Sequence, residues 1–307
     1  MTDAVVAFVD VGQGDCIVAV DRESGDALMI DCPQGRHEDA LMTLHTYGAR
    51  RLEAAVVTHQ HLDHLGGVYS TVTSFPTSGV RINPVSHVPA DPDEHMKLRA
   101  ALRALRGLPR HNVTLAGAGV GDEGAVGELR WQVLAPDHSQ LIGAQADNNP
   151  NHASVVMMLS VGTHSVLLGS DADTNSWAAI MARDLDIKAD VFQLPHHGAS
   201  MISDGNHLGL SELLDAVQAS YYVISVGSHN GYGHPAISTL GDIRARRGQV
   251  QTFCTQLNAV CAGHAPGTNI KCAGTVAITF HDNAITISPS VTEHSAAVRR
   301  LPAAQCV

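Results

Sequence analysis

Apolar positions along this chain switch between two periods. Val5–Val11, Cys16–Val20 and Ala27–Asp31 are β-branched or alternating runs that read as strands, the first two joined by the turn Gly12-Gln13-Gly14-Asp15. Asp39–Tyr47 has helical spacing, and Leu52–Val57 is again a strand. Asp91–Arg106 reads as a helix opened by Asp-Pro, with basic residues toward its end. Leu129–Leu134, Ser154–Val161 and Ser165–Leu168 return to strand character, and Asn175–Asp184 is helical. Val191–Leu194 and Tyr221–Val226 are strands, Pro235–Arg247 is a helix, and Val276–Phe280 with Ala284–Ile287 forms a hairpin around Asp282-Asn283. Strands come first in hairpins and then alternate with helices, which makes the class α/β. Residues 1–288 read as a single domain with an excursion over the site around 81–128, and 289–307, with little periodicity, as a mobile tail.

Composition narrows the class. The chain has 307 residues, 44% hydrophobic and 16% charged, enough to bury a sizeable core. A formal net charge of −11 argues against a protein that coats nucleic acid with a broad basic surface. It leaves a nuclease open, because bound divalent metals supply local positive charge. The charges of Asp91–Arg106, among them Lys97, Arg99, Arg103 and Arg106, read as a solvated face rather than a binding patch. The longest apolar stretch, Val155–Val161, is far short of the ~20 residues of a spanning helix, so no membrane segment is expected. Met1–Ala4 is not a secretory signal, and the expected location is the cytoplasm. Six scattered cysteines then read as reduced thiols. Cys254, Cys261 and Cys272 cluster with His264, which raises a structural zinc site, but no Cys-x-x-Cys spacing supports it over buried thiols.

The densest chemistry follows Leu52–Val57. His59-Gln60-His61-Leu62-Asp63-His64 packs three histidines and an aspartate into six residues. A dinuclear transition-metal site requires imidazole and carboxylate at this density, and an ordinary core does not. In an extended segment, positions two apart point the same way. His59 and His61 can therefore grip one ion, while Asp63 and His64, at the following turn, reach a second. Gly66 and Gly67 let the backbone pass close to the ions.

His-x-His-x-Asp-His-x-Gly-Gly resembles the signature of the metallo-β-lactamase superfamily. Phe8-Val9-Asp10-Val11-Gly12-Gln13-Gly14-Asp15 and Leu194-Pro195-His196-His197-Gly198-Ala199 further resemble the hydrolase domain of ComEC-type DNA-uptake proteins and its stand-alone relatives. The resemblance runs in order from about Val5 to about Arg247. It implies an αββα sandwich: two mixed β-sheets flanked by helices. The membrane channel of those proteins has no counterpart here, so no transport role carries over.

The resemblance also implies the remaining site residues. Asp171, just after Val166–Gly169, matches the aspartate that bridges two metals in the family; Ser170 stands where a glycine is usual, with crowding near the bridge expected. Asp173 is the competitor, better suited to starting a helix. His152, in Asn148–Ser154, either completes a three-histidine site for the first metal or bonds within its loop; the ligand reading is slightly preferred. His197, followed by Gly198, matches the last His-Gly ligand. On one extended loop adjacent side chains diverge, so His196 is assigned to the pocket, against a substrate oxyanion. Asn230-Gly231-Tyr232-Gly233-His234-Pro235 resembles another segment of the ComEC-type domain and makes His234 a substrate-binding or proton-transfer group. The role of His229 is open, and His37, His45, His87, His111 and His207 read as loop or surface residues.

The metal loop and the resemblance together lead to a hydrolase with two divalent ions, zinc or manganese, cleaving phosphodiester bonds, with nucleic acid among the substrates. Asp63, His196 and His234 would do the proton and oxyanion chemistry. Hydrolysis of a small phosphoester, lactone or thioester is the alternative, and an inactive metal-binding interaction domain the second. No Gly-x-Ser-x-Gly elbow and no Walker loop supports covalent or nucleotide-motor chemistry.

Overall fold

The computed structural model describes residues 3–201, 208–263, 267, 270–282 and 284–301. Strands β1 (Asp3–Phe8), β2 (Ile17–Asp21), β3 (Asp26–Ile30), β4 (Arg51–Val57), β5 (Gly79–Ile82) and β6 (Thr114–Ala116) build most of one sheet. The second sheet takes β7 (Glu123–Val126), β8 (Leu129–Ala135), β9 (Val156–Val161), β10 (His164–Leu168), β11 (Val191–Gln193), β12 (Tyr221–Ile224) and β13 (Gln251–Cys254). The chain then returns to the first with the hairpin β14 (Val276–His281) and β15 (Ala284–Ser288). The orders are β15-β14-β1-β2-β3-β4-β5-β6 and β13-β12-β11-β10-β9-β8-β7. Each sheet is antiparallel on one side and parallel on the other: β3 to β6 run parallel, as do β10 to β13.

Strand alternation explains the layering. In β1, Ala4, Val6 and Phe8 enter the core between the sheets, while Val5 and Ala7 face the outer helices. Both faces are apolar because both are covered. The central core joins Leu28, Ile30 and Val56 of the first sheet to Met157, Leu168 and Phe253 of the second. Outside, Leu44, Val72 and Leu98 cover the first sheet, and Trp177, Leu213 and Leu240 the second. This is the αββα sandwich of two mixed sheets.

Helix starts follow local chemistry. Asp91 caps Pro92–Arg106, its side chain accepting from Asp93 N at 2.9 Å, and Asp173 caps Thr174–Met181 through Ser176 N at 2.9 Å. Three segments hold elements that the sequence pattern did not name. Around 81–128, β5 and β6 extend one edge of the first sheet and β7 forms an edge of the second, with the helix Pro92–Arg106 between β5 and β6. Residues Val68–Ser74, poor in helix formers, are helical because Val68 and Val72 pack on the first sheet. The segment after Pro289, read as a mobile tail, holds the helix Val291–Val298, started by a Ser290/Glu293 capping box.

Cys254 and Cys261 are buried in the cluster under the second sheet, and Cys272 packs against it. Among the described residues they join no group of three metal ligands; His264 and His207 lie outside those residues. No helix among the described residues is long and apolar enough to cross a membrane.

The last helix is held by a buried histidine. His294 is 2% exposed, its ring 4.7 Å from that of Phe253, and burial lowers its pKa from 6.5 to about 4. The folded imidazole stays neutral while the unfolded chain takes up a proton, so stability here is present above 6.5 and is lost as pH falls toward 4. A shift of this size corresponds to roughly 3 kcal/mol. The melting temperature should fall across that window, and His294→Phe should flatten the dependence; an unchanged slope would remove His294 as its cause.

Candidate metal centre

One buried carboxylate orients the first ligands. Asp31, just past β3 and fully buried, adopts φ +59°. Its Oδ2 lies 2.7 Å from His64 Nδ1 and 2.5 Å from Thr58 Oγ1, and its Oδ1 accepts the Thr58 N–H at 2.8 Å. Because the Thr58 hydroxyl donates to Asp31, its oxygen accepts from His59 Nδ1, 3.1 Å away. Both rings therefore carry hydrogen on Nδ1, which leaves Nε2 as the nitrogen that each can offer a metal. His197 is set the same way, its Nδ1 donating to the Ser225 carbonyl at 2.9 Å.

All these Nε2 atoms face Asp171, which follows β10 and is 3% exposed. His64 Nε2 and His197 Nε2 each lie 3.5 Å from its Oδ1; His59 Nε2 and His196 Nε2 lie 3.7 and 3.6 Å from its Oδ2. Asp63 Oδ2 approaches His197 Nε2 at 3.9 Å. His64 Nε2, His197 Nε2 and Asp171 Oδ1 are buried without a hydrogen-bond partner, a costly arrangement that a cation among them would satisfy. Two adjoining groups, His59/His64/Asp171 and Asp63/His64/His197, have donor atoms within 4.8 Å of one another. The donor set therefore fits divalent transition metal.

His61 joins through His59, its Nδ1 2.9 Å from His59 Nε2. His152 does not join: its Nδ1 lies 3.3 Å from Asp147 Oδ2 and its Nε2 3.1 Å from Asp173 Oδ2. The turn Pro150–Ala153 carries its ring to these carboxylates, which occupy both nitrogens, so the loop-bonding alternative describes it. His87, expected to be a bystander, instead brings its ring within 5.0 Å of His61, and its Nδ1 lies 3.2 Å from the Asn148 carbonyl oxygen. A lone histidine between valine and serine gives no sequence signal for this.

The paired histidines depart from the expected divergence. His196 and His197 have φ of +51° and +54°, so the loop is a left-handed turn, not an extended one, and both rings reach Asp171. Their difference is depth: the His197 side chain is 2% exposed and that of His196 is 38%. Ser170 likewise takes φ +44°, which explains the glycine usual at this position; backbone strain rather than crowding is the consequence. The expectation for Gly66 and Gly67 also changes. A Cβ on Gly67 would come within 2.4 Å of Pro33 O, so close packing against the Cys32–Gln34 loop, not the ions, demands glycine there. Gly14, at φ +108°, is pressed against the Asp63 carbonyl in the same way.

Asp15, from that Gly-rich turn, was given no role by sequence reasoning. It is 1% exposed, with Oδ1 3.8 Å from His197 Nδ1, and forms further groups with Asp171/His197 and Asp31/His64. At the rim, the His234 ring lies 5.5 Å from His196 and stacks on exposed Tyr232 at 5.8 Å. Asn230 fixes this loop by bonding both the N–H and the carbonyl of His234.

The charges are strongly coupled. Burial would raise the Asp171 carboxyl, but His197, His64 and His59 hold it well below the usual range. Burial opposes charge on His64, yet Asp171, Asp31 and Asp63 hold it well above the usual imidazole value. Burial, aided by His64, pushes His59 well below it; burial lowers His61 and His234 to about 4 and raises Asp31 to about 6 against His64. An imidazole-carboxylate centre of this kind, at the C-terminal ends of parallel strands from two sheets, defines a metal-dependent hydrolase fold.

The metallo-beta-lactamase superfamily model matches residues 9–200, and the chain belongs to that superfamily. It is 25% identical over 251 residues to ComE operon protein 3 of Bacillus subtilis (strain 168), covering 76% of this chain and 30% of that protein. It is 25% identical over 249 residues to Competence protein ComA of Neisseria gonorrhoeae, covering 79% and 30%. The chain thus spans about 30% of the length of these relatives. A solved structure with which it aligns is CmlA, a diiron beta-hydroxylase from Streptomyces venezuelae, at TM-score 0.49 and 13% identity, covering 82% of this chain and 53% of that one.

Removing the orienting carboxylate should loosen the centre. Asp31→Ala is expected to weaken divalent-metal affinity by about 10–100-fold, while His152→Ala leaves it unchanged, read by chelator-competition titration. The reverse order would exchange their roles. His197→Ala should lower the bound metal equivalents and His196→Ala should retain them; equal loss would mean that depth does not separate the two rings.

Proposed function

We propose that this chain is a dinuclear metal-dependent hydrolase of phosphodiester bonds. The observation that carries the reading is the convergence of four imidazole nitrogens on one buried carboxylate, two to each oxygen of Asp171. His59 and His61 would hold one ion, Asp63, His64 and His197 the other, and Asp171 both. Zinc and manganese both suit these donors. A bound pair of ions supplies an activated water and stabilises charge on the attacked and leaving oxygens.

The chain's own groups then divide the remaining work. The Asp63 side chain is 33% exposed, so it can orient the attacking water and accept its proton. His196 approaches Asp171 from the open side and can donate to a substrate oxyanion. His234, kept neutral near pH 7 by burial, binds a substrate oxygen as a hydrogen-bond donor rather than releasing a proton from its cationic form. Asp31, Thr58 and Ser225 fix which imidazole nitrogen is bare. The match to competence proteins supports a phosphodiester substrate, and the scattered cysteines suit the cytoplasm in which we place the protein. The net charge of −11 is the observation that favours the second reading, a small phosphoester, lactone or thioester.

Purified protein should contain close to two transition-metal equivalents. It should cleave bis(p-nitrophenyl) phosphate faster than p-nitrophenyl phosphate or a lactone, with zinc or manganese, and lose activity on chelation. One equivalent in fully active protein would overturn the dinuclear centre. Preference for the lactone or monoester would move the assignment to the second reading.

A further inference from the structure

The sequence reads the charges of Pro92–Arg106 as a solvated face; the structure gives them a pocket. An open cavity of about 840 Å³ lies between this helix and the segments around 82–88 and 115–117. Arg99, Arg103 and Arg106 line it from one face of the helix, with His87 and His95 beside them. Among the described residues no aspartate or glutamate lines it; Asp93 and Glu94 sit in the first turn of the helix. Among the described residues none of the three arginines has a hydrogen-bond or ion-pair partner. Three uncompensated guanidiniums repel one another, and in a chain of net charge −11 their gathering here calls for an anionic ligand.

The pocket adjoins the metal centre. Gln60, between His59 and His61, lines it and donates from Nε2 to Asn83 O at 2.8 Å. His87, on the same wall, meets the His61 ring at 5.0 Å. That wall is held in place: Ser86 N donates to Gln145 Oε1 and Val88 N to Asn148 Oδ1, both at 2.8 Å. Ile82, Leu102 and Leu115 contribute apolar surface below the arginines.

We infer that this pocket holds the phosphate chain flanking the bond being cut, so that the substrate is a nucleic-acid strand rather than an isolated phosphodiester. The inference rests on the phosphodiesterase reading above. Seven residues separate Arg99 from Arg106, a span of about 10 Å along the helix. That is longer than a single phosphate group, so the three guanidiniums can meet successive phosphates of one strand. The apolar surface suits the faces of bases attached to that backbone.

The test compares native protein with Arg99→Gln/Arg103→Gln/Arg106→Gln and with the triple Arg→Lys variant. Binding of a fluorescein-labelled single-stranded 12-mer is read by anisotropy, and kcat/KM is measured on the 12-mer and on bis(p-nitrophenyl) phosphate. The glutamine variant should bind the 12-mer roughly a hundredfold more weakly, and the slope of log affinity against log salt should shrink by about 2. Its ratio of kcat/KM for the 12-mer over the small substrate should fall by a similar factor. The lysine variant should recover most of both. Unchanged binding in the glutamine variant, or equal kcat/KM losses on the two substrates, would overturn the pocket. Inorganic tripolyphosphate competing as well as unlabelled 12-mer at equal phosphate would overturn the strand. Native protein that binds the 12-mer through the arginines but cleaves neither substrate would overturn the phosphodiesterase reading and keep the pocket.

Discussion

The buried carboxylate of Asp31 is the constraint from which the centre is built. Burial alone would leave it protonated, but His64 Nδ1 at 2.7 Å and the Thr58 hydroxyl at 2.5 Å favour its anion. In return it decides which nitrogen of His64 and, through Thr58, of His59 stays bare. Charged and polar groups so deeply buried are tolerated only when paired, and the second set of partners is incomplete. The Nε2 atoms of His64 and His197 and Oδ1 of Asp171 face one another, buried and without a hydrogen-bond partner. A cation resolves that frustration, which is why metal binding and correct folding of this rim should be coupled.

Neither sheet carries the site alone. Asp31 and the His59–His64 loop follow parallel strands of the first sheet; Asp171, His196, His197 and the His234 loop follow parallel strands of the second. The apolar layer containing Phe8, Ile30, Val56, Leu168 and Phe253 sets the distance between those strand ends. Interiors pack densely and resist displacement. A core substitution could therefore disturb the approach of His59 to Asp171 without touching either residue.

The same frame explains how an acidic protein can handle an anionic substrate. On the proposed reading the metals would supply positive charge at the bond to be cut, and the arginine-lined cavity beside Gln60 and His87 would supply it next to that bond. Tyr232, exposed and stacked on His234, adds an aromatic face at the rim of the centre.

Local chemistry was legible in the sequence. The His59–His64 string stands out as a candidate metal loop because an ordinary core does not need donors at that density, and Asp173 announced itself as a helix cap where Asp171 did not. The Ser290/Glu293 capping box was missed, because weak periodicity made the segment read as a tail. What tertiary structure alone decided were meetings between residues far apart in the chain. Asp31 reaches His64 across 33 positions, and nothing local distinguishes that aspartate from any other at a strand end. His152 was taken by Asp147 and Asp173 because a short turn aims its ring, while His87 came to His61 because Gln145, in a helix, and Asn148, just past its end, hold its loop. The left-handed backbone at His196 and His197 replaced the extended geometry that spacing suggested. Sequence determines which donors are available; packing of the two sheets decides which of them meet.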